Sequence, residues 1–184
     1  IHAYLFGKYS QAKAMAESGW SICKSFPTWY GNIIVLFYHG LIALALARET
    51  TSNDTALSPL LQVANEAIQK IYTLSETAPQ NYLHKYHLLQ AELAFLKKQD
   101  QTAINHYDHA ISLAEQYRYL NEEALACERA LDFCMERYDV VFTPRYFKRA
   151  CQVYQEWGAL SKVTHVVERY GERIVAFENM SRKR

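Results

Sequence analysis

Apolar and small residues recur at helical intervals along most of the chain. The clearest case is the stretch 78–119, which predicts two antiparallel helices joined by a short polar turn near Gln99. In its second helix the intervals are four, three, four and three, which places five side chains on one helix face: Ala103, Tyr107, Ala110, Ala114 and Tyr117. This spacing is typical of the second helix of a tetratricopeptide-type hairpin. Such a hairpin needs stacked neighbours on both sides to bury its apolar surface.

The same periodicity continues on both sides of this hairpin. It predicts a helical tail over residues 1–6 and a polar loop over 48–55. The further predicted helices cover 4–20, 29–47, 58–77, 143–157 and 159–177, and one more begins at 121. Seven or eight helices result. Superposition of the hairpins requires a shift of 40 residues, which places Ala91 on Leu131 and Ala110 on Ala150. That period exceeds the tetratricopeptide period of about 34 residues.

The predicted fold is therefore all-α, with antiparallel hairpins stacked as a tetratricopeptide-like right-handed solenoid. We predict a single repeat domain over 1–178 and a basic tail or linker over 179–184. Both ends of the chain look cut from a longer protein.

Glycine, proline and capping residues mark the ends of the predicted helices. We expect a turn at Gly7, a helix break at Phe26-Pro27 and the end of a helix at Trp157-Gly158. A helix is expected to begin at Thr143-Pro144. The predicted N-cap residues are Thr28, Asn81 and Thr143.

The stretch 29–47 is the most apolar and allows two interpretations. Its length suits a membrane span, because about 20 apolar residues cross a bilayer. However, Gly31, Asn32, His39 and Gly40 interrupt it, and no basic flank precedes it. We favour a central helix packed on two sides, without membrane insertion.

Composition excludes several classes of function. The 184 residues carry a formal net charge of +1, which gives no electrostatic argument for a nucleic-acid partner. None of the cysteines (Cys23, Cys127, Cys134 and Cys151) forms a CxxC pair, so their spacing supports no zinc site. Reduced thiols packed between helices favour a cytoplasmic location.

The sequence contains no recognisable catalytic motif. It lacks a phosphate-binding glycine loop, a GxSxG elbow, an HExxH pair and a kinase catalytic loop. The i,i+3 pairs His84/His87 and His106/His109 have no carboxylate partner to complete a metal shell. Glu122 and Glu123 stand at a helix start, where the helix dipole favours acids. We predict no catalytic, cofactor-binding or metal-binding residue, and therefore no enzyme activity in this segment.

A partner-binding groove is the remaining candidate site. In a stacked array the first helix of each hairpin usually lines the concave face. Mapped through Ala91 and Leu131, the groove residues are Lys85, Glu92, Phe95, Glu128, Asp132 and Met135. A mixed acidic, basic and apolar groove suits a peptide or protein domain. Each residue could equally belong to a solvated or intradomain face.

Several runs carry a more specific resemblance. They stand in order at 4–9, 37–46, 78–86, 91–93, 106–114, 119–128, 154–163 and 168–170. Together they resemble the helical-repeat region of large bacterial signalling kinases. In that family a serine/threonine kinase-like domain and a STAND-type ATPase precede the repeats, and sensor and histidine-kinase modules follow. The run 136–141 departs from the family pattern, which has a glycine-containing turn there.

The resemblance implies a non-catalytic regulatory segment that binds protein or peptide, including flanking domains of its own chain. Two alternatives remain open: a free-standing tetratricopeptide-like adaptor, and a repeat array that senses a small effector. A closed aromatic pocket would favour the sensor, whereas an open charged groove would favour the other two.

Overall fold

The computed structural model describes residues 1–23, 31–50, 55–137, 139 and 141–181. These residues form α-helices and no strand, which confirms the all-α class. The helices are α1 (His2–Leu5), α2 (Tyr9–Cys23), α3 (Gly31–Glu49), α4 (Leu57–Thr77), α5 (Pro79–Leu96), α6 (Asp100–Gln116), α7 (Leu120–Glu136), α8 (Thr143–Glu156) and α9 (Leu160–Ser181). The described part thus has nine helices, more than the seven or eight predicted, because the predicted tail over 1–6 contains a separate short helix.

The chain forms two compact units, Ile1–Ala103 and Ile104–Arg184. The first contains α1 to α5, the second contains α7 to α9, and α6 begins in one and ends in the other. The single repeat domain over 1–178 stays a prediction. Of the tail at 179–184, residues 182–184 lie outside the described part of the chain.

Helix α3 is the centre of the first unit. It packs against α2, α4 and α5. By length and composition α3 could cross a membrane, but 61% of its most apolar stretch is buried within the protein, as in a central packed helix. Gly40 lies where α3 closely approaches α4 and α5: a Cβ atom there would lie 2.8 Å from Cβ of Ala67 and 3.0 Å from Cδ2 of Leu89.

In both units, helices two positions apart in the sequence also contact each other. In the first unit α3 packs against α5, and Lys70 of α4 lies over the ring of Trp20 in α2. In the second unit α8 packs against α7 and α9, while side chains join α6 to α8 and α7 to α9. A helix that contacts both its first and second neighbours is expected when hairpins pack side by side.

Four connections between helices share one turn geometry. Each contains a residue with positive φ: Gly7 (72°), Lys98 (58°), Arg118 (62°) and Gly158 (83°). In each, the next amide donates to the carbonyl five residues earlier, the hydrogen bond of a Schellman turn. The amide of Asp139 makes the same bond to Cys134 after α7. Positions 98, 118 and 158 differ by 20 and 40, which agrees with the 40-residue shift in the sequence.

The turns predicted at Gly7 and Gly158 are confirmed, but two predicted caps are wrong. Asn81 lies inside the first turn of α5, where Ala78 is the cap residue. Phe142 occupies the cap position of α8, and the Thr143 hydroxyl donates to the Asp139 carbonyl instead. Asp139 Oδ1 accepts hydrogen bonds from the amides of Val141 and Phe142 and so replaces the missing cap.

The predicted face of α6 is largely correct. Ala103, Tyr107, Ala110 and Ala114 are buried, whereas Tyr117 is exposed. The reason is that α6 ends at Gln116, so Tyr117 no longer follows the helical direction. Three predicted features lie outside the described residues: the helix break at 26–28, the helix start at Trp29, and positions 51–54 of the predicted loop. Arg48, predicted to be the first residue of that loop, belongs to α3 instead.

We expect the substitution Gly40→Ala to destabilise the protein. Alanine stabilises a helix by about 0.5–1 kcal/mol relative to glycine, but overpacking of the added methyl group destabilises the protein by about 1–3 kcal/mol. The free energy of unfolding should therefore fall by about 1–2 kcal/mol. Gly171→Ala is the control, because its Cβ would lie 3.7 Å from Val167 and should stabilise α9. Urea unfolding followed by circular dichroism measures both. Stabilisation by Gly40→Ala would contradict the close packing of α3.

Candidate functional site

The three predicted groove residues of α5 are enclosed within the first unit. Glu92 and Phe95 both contact Arg48 of α3: Arg48 Nη1 donates to Glu92 Oε2 at 2.5 Å, and its guanidinium lies 4.6 Å from the centre of the Phe95 ring. Lys85 Nζ donates to the carbonyl oxygen of Asn81 at 3.0 Å and lies 3.0 Å from Nε2 of His84. A buried charge is tolerated when such partners replace its water.

Two of the three predicted groove residues of α7, Glu128 and Asp132, belong to a polar cluster in the second unit, and the third is the buried Met135. Glu128 accepts from the Tyr154 hydroxyl at 2.5 Å and from Lys162 Nζ at 2.8 Å. Asp132 accepts from Arg129 at 2.5 Å and from the hydroxyl of Tyr170. The spacing of 128, 132 and 135 places these residues on one face of α7, and the helix lying against this face is α9.

Four of the six residues contact a helix two positions away in the chain: Glu92 and Phe95 contact α3, and Glu128 and Asp132 contact α9. Five are buried, and the side chain of Asp132 is 12% exposed. Their binding of a partner stays a prediction. Charge reversal at Lys85 or Glu128 would test folding as much as binding, since each carries its charge inside the protein.

The sequence did not identify the partners of these carboxylates. One signal was present: an aspartate and a tyrosine 38 residues further on are hydrogen-bonded twice, as Asp108–Tyr146 and Asp132–Tyr170. Because equivalent helices recur about every 40 residues, such a spacing connects successive equivalent helices. Burial and the adjacent aspartate raise the pKa of both tyrosine hydroxyls, which act as hydrogen-bond donors.

A charged cleft of about 510 Å³ opens beside α6 and α8 in the second unit. Its central residue is Arg149, which contacts the buried Glu123 at 2.5 Å and the exposed Glu115 at 2.7 Å. Burial raises the pKa of Glu123, and the charge of Arg149 opposes that effect. Exposed Arg145 adds a second cation to the lining. Charges of both signs at its mouth suit polar groups of a protein surface.

A smaller cleft of about 180 Å³ lies among α2, α3 and α4 in the first unit. Its lining is mainly aliphatic, from Ile42, Leu46, Leu60 and Val63 among others. The rim carries His39 and the exposed Lys13–Glu17 ion pair. The cleft could hold an apolar group of a few carbon atoms with a polar end.

The described thiols are poor nucleophiles. Burial raises the pKa of the Cys134 thiol to about 12 and raises that of Cys127 further, and burial also raises the pKa of Cys151. The side chain of Cys23 lies outside the described part. Within the described residues, no group of three histidine, cysteine, aspartate or glutamate side chains has a metal-binding arrangement.

Comparison of the chain with protein families, with curated proteins and with solved structures found no match in any of the three.

Replacement of Tyr154 by phenylalanine tests the buried cluster. The substitution removes one of the two hydrogen bonds to the Glu128 carboxylate, and a bond to a charged group contributes about 1.5–3 kcal/mol, so the free energy of unfolding should fall by that amount. Tyr117→Phe is the control, because the exposed ring should change stability by less than about 0.5 kcal/mol. Equal effects of the two substitutions in urea unfolding would contradict the role of Tyr154.

The histidines predict a loss of stability as the pH falls below 7. Burial lowers the pKa of His106 and of His165, with repulsion from His109 and from Lys162 respectively as a further cause. The folded protein then binds fewer protons than the unfolded chain, whose histidines titrate near about 6.5. The contribution of these histidines to the free energy of unfolding is therefore fully present above that pH. It is lost as the pH falls through their lowered pKa values in the folded protein.

Urea unfolding at pH 7.5, 6.5 and 5.5 measures this dependence. The variant His165→Gln should lose less stability than the original protein over the same range. An equal slope in the original protein and in His165→Gln would contradict the prediction.

Proposed function

We propose that this chain is a non-catalytic, protein-binding segment of tetratricopeptide-like helical repeats from a multidomain bacterial signalling kinase. The observation that carries the proposal is the recurrence of one turn hydrogen bond, donated by the amides of residues 99, 119, 139 and 159 at 20-residue intervals, together with contacts between helices two positions apart in both units. Both features are expected of hairpins stacked as a right-handed solenoid. The sequence runs that resemble the kinase repeats lie on these same helices.

The segment would regulate its parent protein by docking neighbouring domains or a peptide. The charged cleft beside α6 and α8 supports docking rather than catalysis, because it offers Arg145, Arg149 and Glu115 to solvent. Polar side chains at the rim of a protein interface provide specificity more than affinity. A cytoplasmic location follows from the proposal, since the kinase-type domains act on nucleotides inside the cell.

A second candidate function is the sensing of a small effector. The aliphatic cleft among α2, α3 and α4 favours it, because its volume and polar rim suit a small amphiphilic molecule. A ligand that binds the folded state raises the melting temperature with its concentration. Thermal shift against a panel of short fatty acids and related metabolites distinguishes the two functions, since docking of proteins predicts no such rise.

The size of the native gene product tests the kinase proposal. An antibody raised against these 184 residues should detect a band several times larger than 21.4 kDa in lysate of the source organism. A pre-immune serum and a lysate from a strain with the gene deleted are the controls. A single band at 21.4 kDa would overturn the proposal and leave the adaptor and the sensor.

A further inference from the structure

The charged cleft beside α6 and α8 has walls of opposite charge. Helix α6 contributes Asp108 and Glu115, called here the acidic wall, and α8 contributes Arg145 and Arg149, called here the basic wall. Cys127 of α7, which is fully buried, also lines the cleft. The volume of about 510 Å³ lies within the range of small-molecule sites, which is about 300–1,000 Å³. The cleft therefore has the size and the charge separation that suit a dipolar ligand.

The basic wall contains one cation that is held in place and one that has no acidic partner. Arg149 Nε donates to Glu123 Oε1 at 2.8 Å, and this buried carboxylate fixes the position of the guanidinium. Arg145 lies one helical turn earlier, with its guanidinium 5.9 Å from the centre of the Tyr146 ring. Within the described part of the chain, Arg145 forms no ion pair. Two cations one turn apart repel each other, and an anionic group between them would relieve that repulsion.

The acidic wall offers carboxylates that are open to solvent. Asp108 is exposed, and its Oδ1 accepts from the Tyr146 hydroxyl at 2.7 Å. Glu115 Oε1 accepts from Arg149 Nη2 at 2.7 Å, although the side chain of Glu115 is 57% exposed. An ion pair with so exposed a member contributes little to stability, so a ligand can separate it. A ligand carboxylate can replace Glu115 beside Arg149, while a ligand ammonium group replaces Arg149 beside Glu115.

We propose that this cleft binds a short zwitterionic peptide of two or three residues. The carboxylate of the ligand lies beside Arg145 and Arg149, and its ammonium group lies beside Glu115. The peptide body packs on Ile111, which lies between the two acids on α6. An extended dipeptide separates its charged ends by about 7 Å, so each end can reach a different wall, whereas both charges of a single amino acid share one Cα. This assignment rests on the proposed peptide-binding function and names the ligand of its cleft.

Three forms of one dipeptide test the two charges separately. Alanyl-leucine carries both charges, N-acetyl-alanyl-leucine lacks the ammonium group, and alanyl-leucine amide lacks the carboxylate. Isothermal titration calorimetry with the whole chain measures the dissociation constant of each at low and high salt. We expect alanyl-leucine to bind at least tenfold more tightly than either derivative, with an affinity that decreases as salt increases.

Substitutions on each wall assign the two charges of the ligand. Arg145→Gln should reduce the preference for alanyl-leucine over its amide and keep the preference over the N-acetyl form. Glu115→Gln should have the opposite effect. Lys148→Gln is the matched control, because Lys148 is an exposed cation of α8 that does not line the cleft. All three side chains are exposed, so the variants should remain folded, which circular dichroism and urea unfolding check.

Several outcomes would overturn the proposal. Alanyl-leucine could fail to bind at millimolar concentration, or Lys148→Gln could change binding as much as Arg145→Gln does. The N-acetyl form could bind as tightly as alanyl-leucine, which would assign the cleft to a carboxylate alone, such as the C-terminus of a protein. The kinase proposal is tested separately by the native size, so a large native product without dipeptide binding would reject this ligand alone.

Discussion

Buried carboxylates connect helices that are two positions apart, and the packing of both units depends on them. A carboxylate removed from water is costly unless hydrogen bonds and an opposite charge replace its hydration. Glu92 has Arg48, and Glu128 has both Lys162 and Tyr154. Burial lowers the pKa of the Lys162 ammonium, and the charge of Glu128 opposes that effect. A helix shifted along its neighbour would leave one of these charges without its partner. The carboxylates therefore specify the register of the helices more than they add to stability.

Small residues make these contacts possible. The glycine at position 40 and buried alanines on α3 to α8 bring helix axes close together, so that a side chain from one helix can reach past its neighbour to the next. The recurring turns then set where each helix begins. Lys98 and Arg118 adopt positive φ without being glycine, which costs about 1–2 kcal/mol each, so the surrounding packing must favour the turn.

Helical periodicity was sufficient to predict the all-α class, the buried face of α6 through Ala114 and the turns at Gly7 and Gly158. The cap positions could not be predicted from residue type alone. Asn81 and Thr143 are residue types that often cap helices, but here they lie one or more positions inside their helices. Side-chain pairs depend on tertiary packing, which no local pattern contains. Glu92 and Glu128 were placed on a groove by mapping the first helix of each hairpin through Ala91 and Leu131. That mapping did not contain their partners, which come from a helix two positions away. The separation of 38 residues between Asp132 and Tyr170 is visible in the sequence but acquires meaning only once the helices are placed.

A double-mutant cycle on Asp132 and Tyr170 tests most directly whether carboxylates couple helices two positions apart. The variants Asp132→Asn, Tyr170→Phe and the double variant are compared with the original protein by urea unfolding. We expect the two losses not to be additive, with a coupling free energy of about 1–2 kcal/mol that stabilises the pair. Additive losses, with a coupling below about 0.5 kcal/mol, would contradict this role of the carboxylates, because the hydrogen bond between α7 and α9 would then contribute nothing to their association.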